Sequence, residues 1–178
     1  MFNFINNKLS NAKTLIRYFP IVLKNADGIY VKDINNKKYI DCILAAGTLP
    51  LGHNHPIINE CLKKFSENNY PVQTMDIPTE LQYEFLNSLY KFLPNNISND
   101  YKIQMCSPSG ADSIESAIKL AKISTQRNTI LTFTGGYHGQ SYGSSSISGK
   151  VRNSFKYSGM SDVHFLPYPN YYSKLSTK

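Results

Sequence analysis

The second half of the sequence changes its hydrophobic period twice. A short apolar run at residues 103–106 precedes a turn at 107–110, a helical pattern at 112–123 and a second apolar run at 129–133. One face of the predicted helix carries Ile114, Ala117, Ile118 and Ala121. This order predicts a β-α-β unit and therefore a mainly parallel sheet of the α/β class. In such sheets, ligands gather at the carboxyl ends of strands and the N-termini of helices.

The first half predicts smaller elements. An amphipathic helix is expected over residues 6–17, and strands at 29–32 and 38–42 are expected to form a β-hairpin. Residues 47–56 are read as a loop, after which Pro56 opens a helix at its first turn. A further helix over residues 79–92 begins with Thr79 as its cap.

Composition excludes several classes of function. The chain has 178 residues, of which 41% are hydrophobic, and this is enough for a packed core. Its apolar runs are too short to cross a bilayer and its start lacks a secretory segment, so we expect a cytoplasmic protein without a membrane partner. The net charge of +7 is scattered, with basic doublets only at residues 37–38 and 63–64, which argues against a nucleic-acid partner. The 3 cysteines form no C-x-x-C pair and are read as free thiols.

The predicted turn and helix start at residues 107–112 favour an anion site. Unpaired backbone N–H groups at a helix N-terminus attract negative charge, and the small residues Gly110 and Ala111 allow a phosphate to approach. The alternative is an ordinary capped helix, with Ser109 as the cap and Asp112 in the first turn.

Glycines flank an aromatic residue directly after the predicted strand at 129–133. In the segment Gly135 to Gly139, Tyr137 is presented at the end of a strand, where its ring can stack on a planar heterocycle such as a pyridine. The alternative is a glycine-rich turn with Tyr137 on the surface and His138 bonded to a neighbour. No dinucleotide or nucleotide-triphosphate fingerprint is present.

Two histidines, His53 and His55, are separated by one residue. They have the chemistry of metal ligands, but no nearby cysteine or carboxylate cluster completes a shell. We therefore predict no metal site, and interpret the segment as a turn that leads into a helix.

Taken in order, these segments resemble the class III aminotransferases over almost the whole chain. The resemblance rests on residues 27–33 and 39–41, on L-G-H-N-H-P at 51–56, on S-G-A-D-S-I-E at 109–115, on A-I-K-L-A at 117–121 and on G-Y-H-G at 136–139. It implies an α/β fold, the fold type I of transferases that depend on pyridoxal 5′-phosphate. The expected architecture is a truncated one: an N-terminal helix, hairpin and substrate-loop segment at 1–78 and the beginning of the large cofactor domain at 79–178.

Within this class, residues 46–49, 105–112 and 164–169 resemble the diaminobutyrate branch. Ornithine and acetylornithine enzymes typically carry Arg after the aromatic-His-Gly triplet, where this chain has Gln140. Ala45 departs from the branch, which usually has Gly at that position.

The resemblance also implies roles for individual residues. Gly110 and Ala111 would bind the cofactor phosphate through backbone N–H groups, and Tyr137 would stack on the pyridine ring. Ser109 and His138 would make supporting contacts. A separate group would lie near the substrate, namely Ala46, Gly47 and Thr48.

The implied activity is that of an aminotransferase acting on amino acid and 2-oxo acid substrates. It transfers the terminal amino group of diaminobutyrate to 2-oxoglutarate, and the complete enzyme is expected to be a homodimer. The family places the Schiff-base lysine and the acidic partner of the pyridine nitrogen beyond the position of Tyr168. We therefore expect an N-terminal fragment that contains no catalytic residue and is inactive alone. Two alternatives remain: a noncatalytic remnant or subunit-interaction module of the same family, and a basic nucleic-acid-binding protein.

Overall fold

The computed structural model describes residues 1–9, 19–95, 100–149 and 159–169. The chain divides into two compact units, Met1–Asn99 and Asp100–Lys178. The division at residues 78 and 79 concerns the domains of the family fold and stays a prediction.

The first unit contains a three-stranded antiparallel sheet, preceded by helix α1 (Phe2–Lys8). Its strands are β1 (Leu23–Asp27), β2 (Tyr30–Asp33) and β3 (Lys38–Ile40), with β2 in the centre. Val31 of β2 is buried and lies opposite Ala26 and Tyr39. This sheet contains the predicted hairpin and adds β1 to it.

Asp33 organises the turn between β2 and β3. One oxygen of its carboxylate accepts hydrogen bonds from the backbone amides of Asn35 and Lys37, both at 2.9 Å. The other accepts a bond from the Tyr39 hydroxyl at 3.0 Å. Asn36 adopts a left-handed conformation with φ of 63°, which asparagine tolerates better than most residues.

One left-handed turn and two right-handed helices follow among the described residues of the first unit. They are α2 (Leu44–Gly47), α3 (Pro56–Glu67) and α4 (Glu80–Phe92). Pro56 occupies the first turn of α3, and the Thr79 hydroxyl caps α4 by accepting a bond from the amide of Gln82 at 3.1 Å. Both helix starts confirm the sequence prediction.

The second unit combines two helices with two strands. Its elements are α5 (Gly110–Thr125), β4 (Ile130–Phe133), α6 (Tyr142–Ser146) and β5 (Val163–Leu166). β4 and β5 are parallel and in register from Ile130 opposite Val163 to Phe133 opposite Leu166. The parallel pairing agrees with the α/β class, and the loop that carries Tyr137 follows the carboxyl end of β4.

A small apolar core holds α5 to this sheet. Ile118, Ile147 and Val163 are buried together. Ile114, Ile130, Met160 and Phe165 pack against them. The predicted apolar face of α5 therefore contributes Ile114 and Ile118 to the core, and its burial fixes the N-terminus of α5 relative to the parallel strands.

Two sequence predictions of local structure were wrong. Residues 103–106 form no strand; within the described ranges no other segment pairs with them, and an extended segment becomes a strand only when a neighbour completes its ladder. The N-terminal helix ends at Lys8 and Leu9 is extended. The helix begins at Phe2, before the predicted start at residue 6. Its half-buried side chains, Phe2 and Ile5, lie about one turn apart, and their spacing suits a helix that begins there. Residues 10–17 of the predicted helix lie outside the described residues.

Candidate functional site

All five residues that the sequence predicts as cofactor ligands line one cavity in the second unit. Its volume is about 530 Å³. One wall is the start of α5, and the other is the loop after β4. The lining residues are Ser109, Gly110, Ala111, Ile114, Tyr137, His138, Gly139 and Gln140.

The start of α5 presents backbone donors to this cavity. Ser109 occupies the N-cap position, but its side chain makes no capping bond. Its carbonyl accepts the amides of Asp112 and Ser113 at 3.1 and 3.3 Å, while in the described part of the chain the amides of Gly110 and Ala111 have no acceptor. Unsatisfied donors at a helix N-terminus favour an anion.

Gly110 lies where the cavity is open. A Cβ added to it would meet no atom within 4 Å, and its φ lies outside the left-handed region. The fold therefore does not require glycine at this position. The missing side chain leaves room at the helix N-terminus, and such room suits a phosphate.

The opposite wall presents the ring of Tyr137, a residue that is 60% exposed. The side-chain Nε2 of Gln140 donates a hydrogen bond to the Tyr137 hydroxyl at 3.3 Å. Gly139 explains how this loop can approach α5, because a Cβ on Gly139 would lie 2.7 Å from the Cβ of Ala111. The two walls therefore come into contact at Gly139 and Ala111, and both Gly110 and Tyr137 line the cavity.

His138 is held by its backbone. Its amide donates to the hydroxyl of Ser148 at 2.8 Å. Its ring folds back towards Gly136, where a Cβ would come within 2.9 Å of Nε2. The exposed Tyr137 and the bonded His138 agree with the glycine-rich turn, while stacking of the Tyr137 ring on a heterocycle stays a prediction.

Glu115 connects α5 to α6. Its Oε1 accepts bonds from the Ser141 hydroxyl at 2.5 Å and from the amides of Gly143 and Ser144 at 2.7 and 2.9 Å. Burial raises the pKa of Glu115, but these hydrogen bonds outweigh burial and hold the pKa below its ordinary value. The carboxylate therefore stays ionised at neutral pH.

Sequence reasoning did not single out Glu115 or Ser148 as functional. Glu115 lies within the family motif at residues 109–115 without a predicted role of its own, and no function was predicted for the serine run at residues 144–146. The available signal was a cluster of small hydroxyl residues after a glycine-rich loop, because buried serines require hydrogen-bond partners. Ser144, Ser146 and Ser148 are fully buried.

The predicted substrate residues lie in the first unit. Ala46, Gly47 and Thr48 belong to an exposed turn around α2, in which Leu44, Ala45, Ala46 and Gly47 all have positive φ. This segment is therefore not a right-handed helix. The Thr48 hydroxyl donates to the carbonyl of Ala45 at 2.9 Å, and this bond closes the turn.

Asp41 and His53 hold this turn at its base. One carboxylate oxygen of Asp41 lies 2.8 Å from Nε2 of His53, and the other accepts the amides of Ile43 and Leu44 at 2.9 and 3.1 Å. The bond from His53 lowers the pKa of Asp41, and the two backbone bonds lower it further.

The G-H-N-H-P segment, residues 52–56, is a turn that leads into a helix, as predicted. His53 exchanges backbone bonds with Gly28 at 2.8 and 2.9 Å. Gly52 is required there, because its φ is 81° and a Cβ would lie 2.8 Å from the Gly28 oxygen. Nδ1 of His55 caps α3 by accepting the amide of Ile57 at 3.3 Å. Among the described residues, no three metal-ligating side chains form a cluster.

The sequence matches one family of enzymes over most of its length. The sequence profile of the class-III aminotransferases matches residues 12–177, and the chain belongs to this family. In the described part of the chain, no helix has the length and hydropathy of a membrane span.

The relatives extend well beyond this chain. A diaminobutyrate 2-oxoglutarate aminotransferase of Rhizobium meliloti is 42% identical over 92% of the chain and 35% of its own length. The enzyme of the same name from Haemophilus influenzae is 38% identical over 92% of the chain and 36% of its own length. The chain therefore spans about a third of the length of these curated relatives.

Solved structures show the same fold. The taurine:2-oxoglutarate aminotransferase of Bifidobacterium kashiwanohense, in complex with PLP and glutamate, superposes with a TM-score of 0.74 at 24% identity. It is matched over 92% of this chain and 36% of its own. An omega-transaminase of Thermomicrobium roseum gives 0.73 at 25% identity, over 90% of this chain and 37% of its own. The chain therefore has part of the fold type I of pyridoxal-phosphate transaminases.

Proposed function

We propose that the full-length protein is a pyridoxal-phosphate-dependent aminotransferase that moves the terminal amino group of diaminobutyrate to 2-oxoglutarate. The observation that carries this proposal is the cavity of the second unit, where a helix N-terminus faces an exposed aromatic ring and two of its amides have no acceptor among the described residues. Family membership and the names of the relatives support the reaction. The products are aspartate semialdehyde and glutamate.

The cavity fits the two chemical parts of the cofactor. The amides of Gly110 and Ala111 would bind the phosphate, with the open side of Gly110 giving room and the helix dipole favouring its charge. The face of Tyr137 would stack on the pyridine ring. Ser109 and His138 would support these contacts, and pyridoxal phosphate, when bound, supplies an electron sink for the bond broken at the substrate carbon.

The substrate role of the turn at Ala46, Gly47 and Thr48 is also a proposal. Its exposed backbone is held in one conformation by Asp41, so it would orient a substrate without supplying an acid or base. No lysine of this chain is assigned the proton transfer. We further propose, from the family resemblance, a cytoplasmic homodimer as the working form.

The proposal is tested with the protein at its full natural length. Purified protein incubated with diaminobutyrate, 2-oxoglutarate and pyridoxal phosphate should form glutamate above a blank that contains the free cofactor alone. The 178 residues alone should form none, because by the family resemblance the Schiff-base lysine lies beyond them. Failure of the full-length protein to produce glutamate from any amino donor would refute the proposed class of reaction.

A further inference from the structure

The cavity needs a fixed separation between its two walls. A phosphate held at Gly110 and a ring stacked on Tyr137 belong to one rigid ligand, so an error in the distance between α5 and the loop weakens both contacts. The direct contact of Gly139 with Ala111 fixes the walls at one end only. The other end requires a second connection.

Hydrogen bonds through α6 provide that connection. Glu115 lies on α5, little more than one turn beyond the amides that face the cavity, and it binds the first residues of α6 through Ser141, Gly143 and Ser144. Gly143 is closely fitted to this carboxylate, because a Cβ there would lie 3.0 Å from the carboxyl carbon of Glu115. No larger residue at position 143 would leave the carboxylate in place.

The connection continues from α6 to the loop. Ser148, just beyond α6, is fully buried, and its hydroxyl donates to the carbonyl of Ser144 at 2.7 Å. The same oxygen accepts the amide of His138, the residue next to Tyr137. A partly buried amide that loses its acceptor destabilises its local conformation, so Ser148 holds the backbone that carries the ring.

We propose that Glu115 is a positioning residue for the cofactor, which sets the distance between the phosphate-binding start of α5 and the Tyr137 ring through α6 and Ser148. This proposal rests on the proposed function of the cavity. Glu115 is not among the residues that line the cavity. Its effect reaches the cofactor only through the two walls, which distinguishes it from Gly110 and Tyr137.

The test compares a ligand that spans both walls with one that uses a single wall. In the full-length apo-protein, Glu115→Ala should lower the affinity for pyridoxal phosphate by roughly tenfold or more. A tenfold loss corresponds to about 1.4 kcal/mol. Inorganic phosphate should bind as it does to the parent, because the start of α5 is unchanged. Equilibrium dialysis measures both ligands. Glu84→Ala, at an exposed glutamate of α4, is the matched control and should leave both affinities unchanged.

Two further variants separate positioning from loss of fold. Glu115→Gln keeps an oxygen acceptor for the amides of Gly143 and Ser144 and should retain most of the affinity. Ser148→Ala removes the acceptor of His138 without touching Glu115 and should weaken pyridoxal phosphate in the same selective way. Amide hydrogen exchange provides a readout without cofactor, since Glu115→Ala should expose the amides of residues 138, 143 and 144.

Each outcome decides one claim. Selective weakening of pyridoxal phosphate in Glu115→Ala and Ser148→Ala supports the positioning role. If both variants bind pyridoxal phosphate like the parent, or if phosphate weakens equally, the positioning role is overturned while the proposed function stands. If the parent itself binds no pyridoxal phosphate, the proposed function fails and the positioning role fails with it.

Discussion

Two glycines at the cavity have different reasons to be glycine. Gly139 is required by the fold, because a side chain there would collide with Ala111, and its φ of 129° is left-handed. Gly110 has an ordinary φ and open space around it. At the scale of single residues, then, the demand for a small residue at position 110 comes from a ligand, whereas at position 139 it comes from packing.

Tyr137 contributes a ring face in this account. Tyr137→Ala should lower the affinity for pyridoxal phosphate by about fivefold, because it removes roughly 1 kcal/mol of stacking. Tyr137→Phe should change the affinity little, because within the described residues the hydroxyl makes only a long bond with Gln140. Titration of full-length apo-protein with the cofactor measures both. Equal losses in the two variants would show that the hydroxyl, and not the ring face, carries the contact.

Ala45 is strained by its backbone. Its φ of 49° and ψ of 49° are left-handed, a conformation that costs a residue with a Cβ about 1–2 kcal/mol. Ala45→Gly should relieve this cost, less the greater freedom of glycine in the unfolded chain, for a net gain of roughly 0.5 kcal/mol. Urea unfolding of full-length apo-protein measures the gain.

A matched control makes the same chemical change in a right-handed helix. Ala117→Gly on α5 should destabilise the protein by about 1 kcal/mol, since glycine lowers helix propensity. If Ala45→Gly raises the free energy of unfolding and Ala117→Gly lowers it, the result supports backbone strain at Ala45. A loss of stability in both variants would contradict it.

At the scale of elements, each candidate loop depends on a carboxylate that lies outside it. Asp41 follows β3 and binds the backbone of the turn at Leu44 as well as His53. Glu115, on α5, binds the start of α6. In both cases one acidic side chain satisfies the orphan amides of a neighbouring segment and thereby fixes its direction.

The Asp41 contacts predict a dependence of stability on pH. The folded state lowers the pKa of Asp41 from its ordinary value of 3.8, so its contribution is complete above that pH and disappears as pH falls through the lowered folded pKa. Asp41→Asn should therefore destabilise the protein at neutral pH, and the difference from the parent should shrink below about pH 4. Urea unfolding of parent and variant across this range measures the difference, and a gap that grows on acidification would contradict the assignment.

The elements that the sequence predicted well carry their own start signals. Pro56, Thr79 and the spaced isoleucines of α5 act locally, so α3, α4 and α5 follow from the sequence alone. β1 was missed because its residues, L-K-N-A-D, include four types that are depleted in strands. Its pairing with β2 decides its conformation. Residues 103–106 show the reverse case, a strand-like composition without a pairing neighbour among the described segments.

The candidate site was partly predictable for the same reason. A helix start and a glycine-flanked aromatic ring are local patterns, and the sequence gives both Gly110 and Tyr137. The bonds of Glu115 to residues 141–144 join segments 26 to 29 positions apart. No local pattern specifies such a contact, so these supporting residues required the structure.

At the scale of the whole molecule, the chain presents many apolar side chains to solvent. Among the described residues, Leu62 of α3, Phe92 of α4 and Leu131 of β4 are 64%, 86% and 64% exposed. Apolar exposure on this scale belongs to a protein that continues or associates. Measurements of function therefore belong to the full-length protein.

Donor preference is a property of that full-length protein. Gln140 lines the cavity at the position where acetylornithine enzymes typically carry Arg, and it lacks the cationic fork that binds a carboxylate in two places. We expect kcat/KM to be higher for diaminobutyrate than for acetylornithine, and Gln140→Arg to narrow the difference. Initial rates of glutamate formation with each donor measure the preference. Equal or higher kcat/KM with acetylornithine in the parent would overturn the assignment to the diaminobutyrate branch.

The central claim is that the start of α5 holds the phosphate of pyridoxal phosphate. Its most direct test is a cofactor titration of full-length Gly110→Val, because the side chain meets no protein atom within 4 Å at its Cβ and instead occupies the space assigned to the phosphate. Ser113→Val, on the same helix but outside the cavity lining, controls for the effect of a β-branched residue on α5. Gly110→Val should weaken cofactor binding by roughly tenfold to a hundredfold, as expected for lost bonds to a charged group, while Ser113→Val should bind the cofactor like the parent. Parent-like affinity in Gly110→Val would contradict the claim.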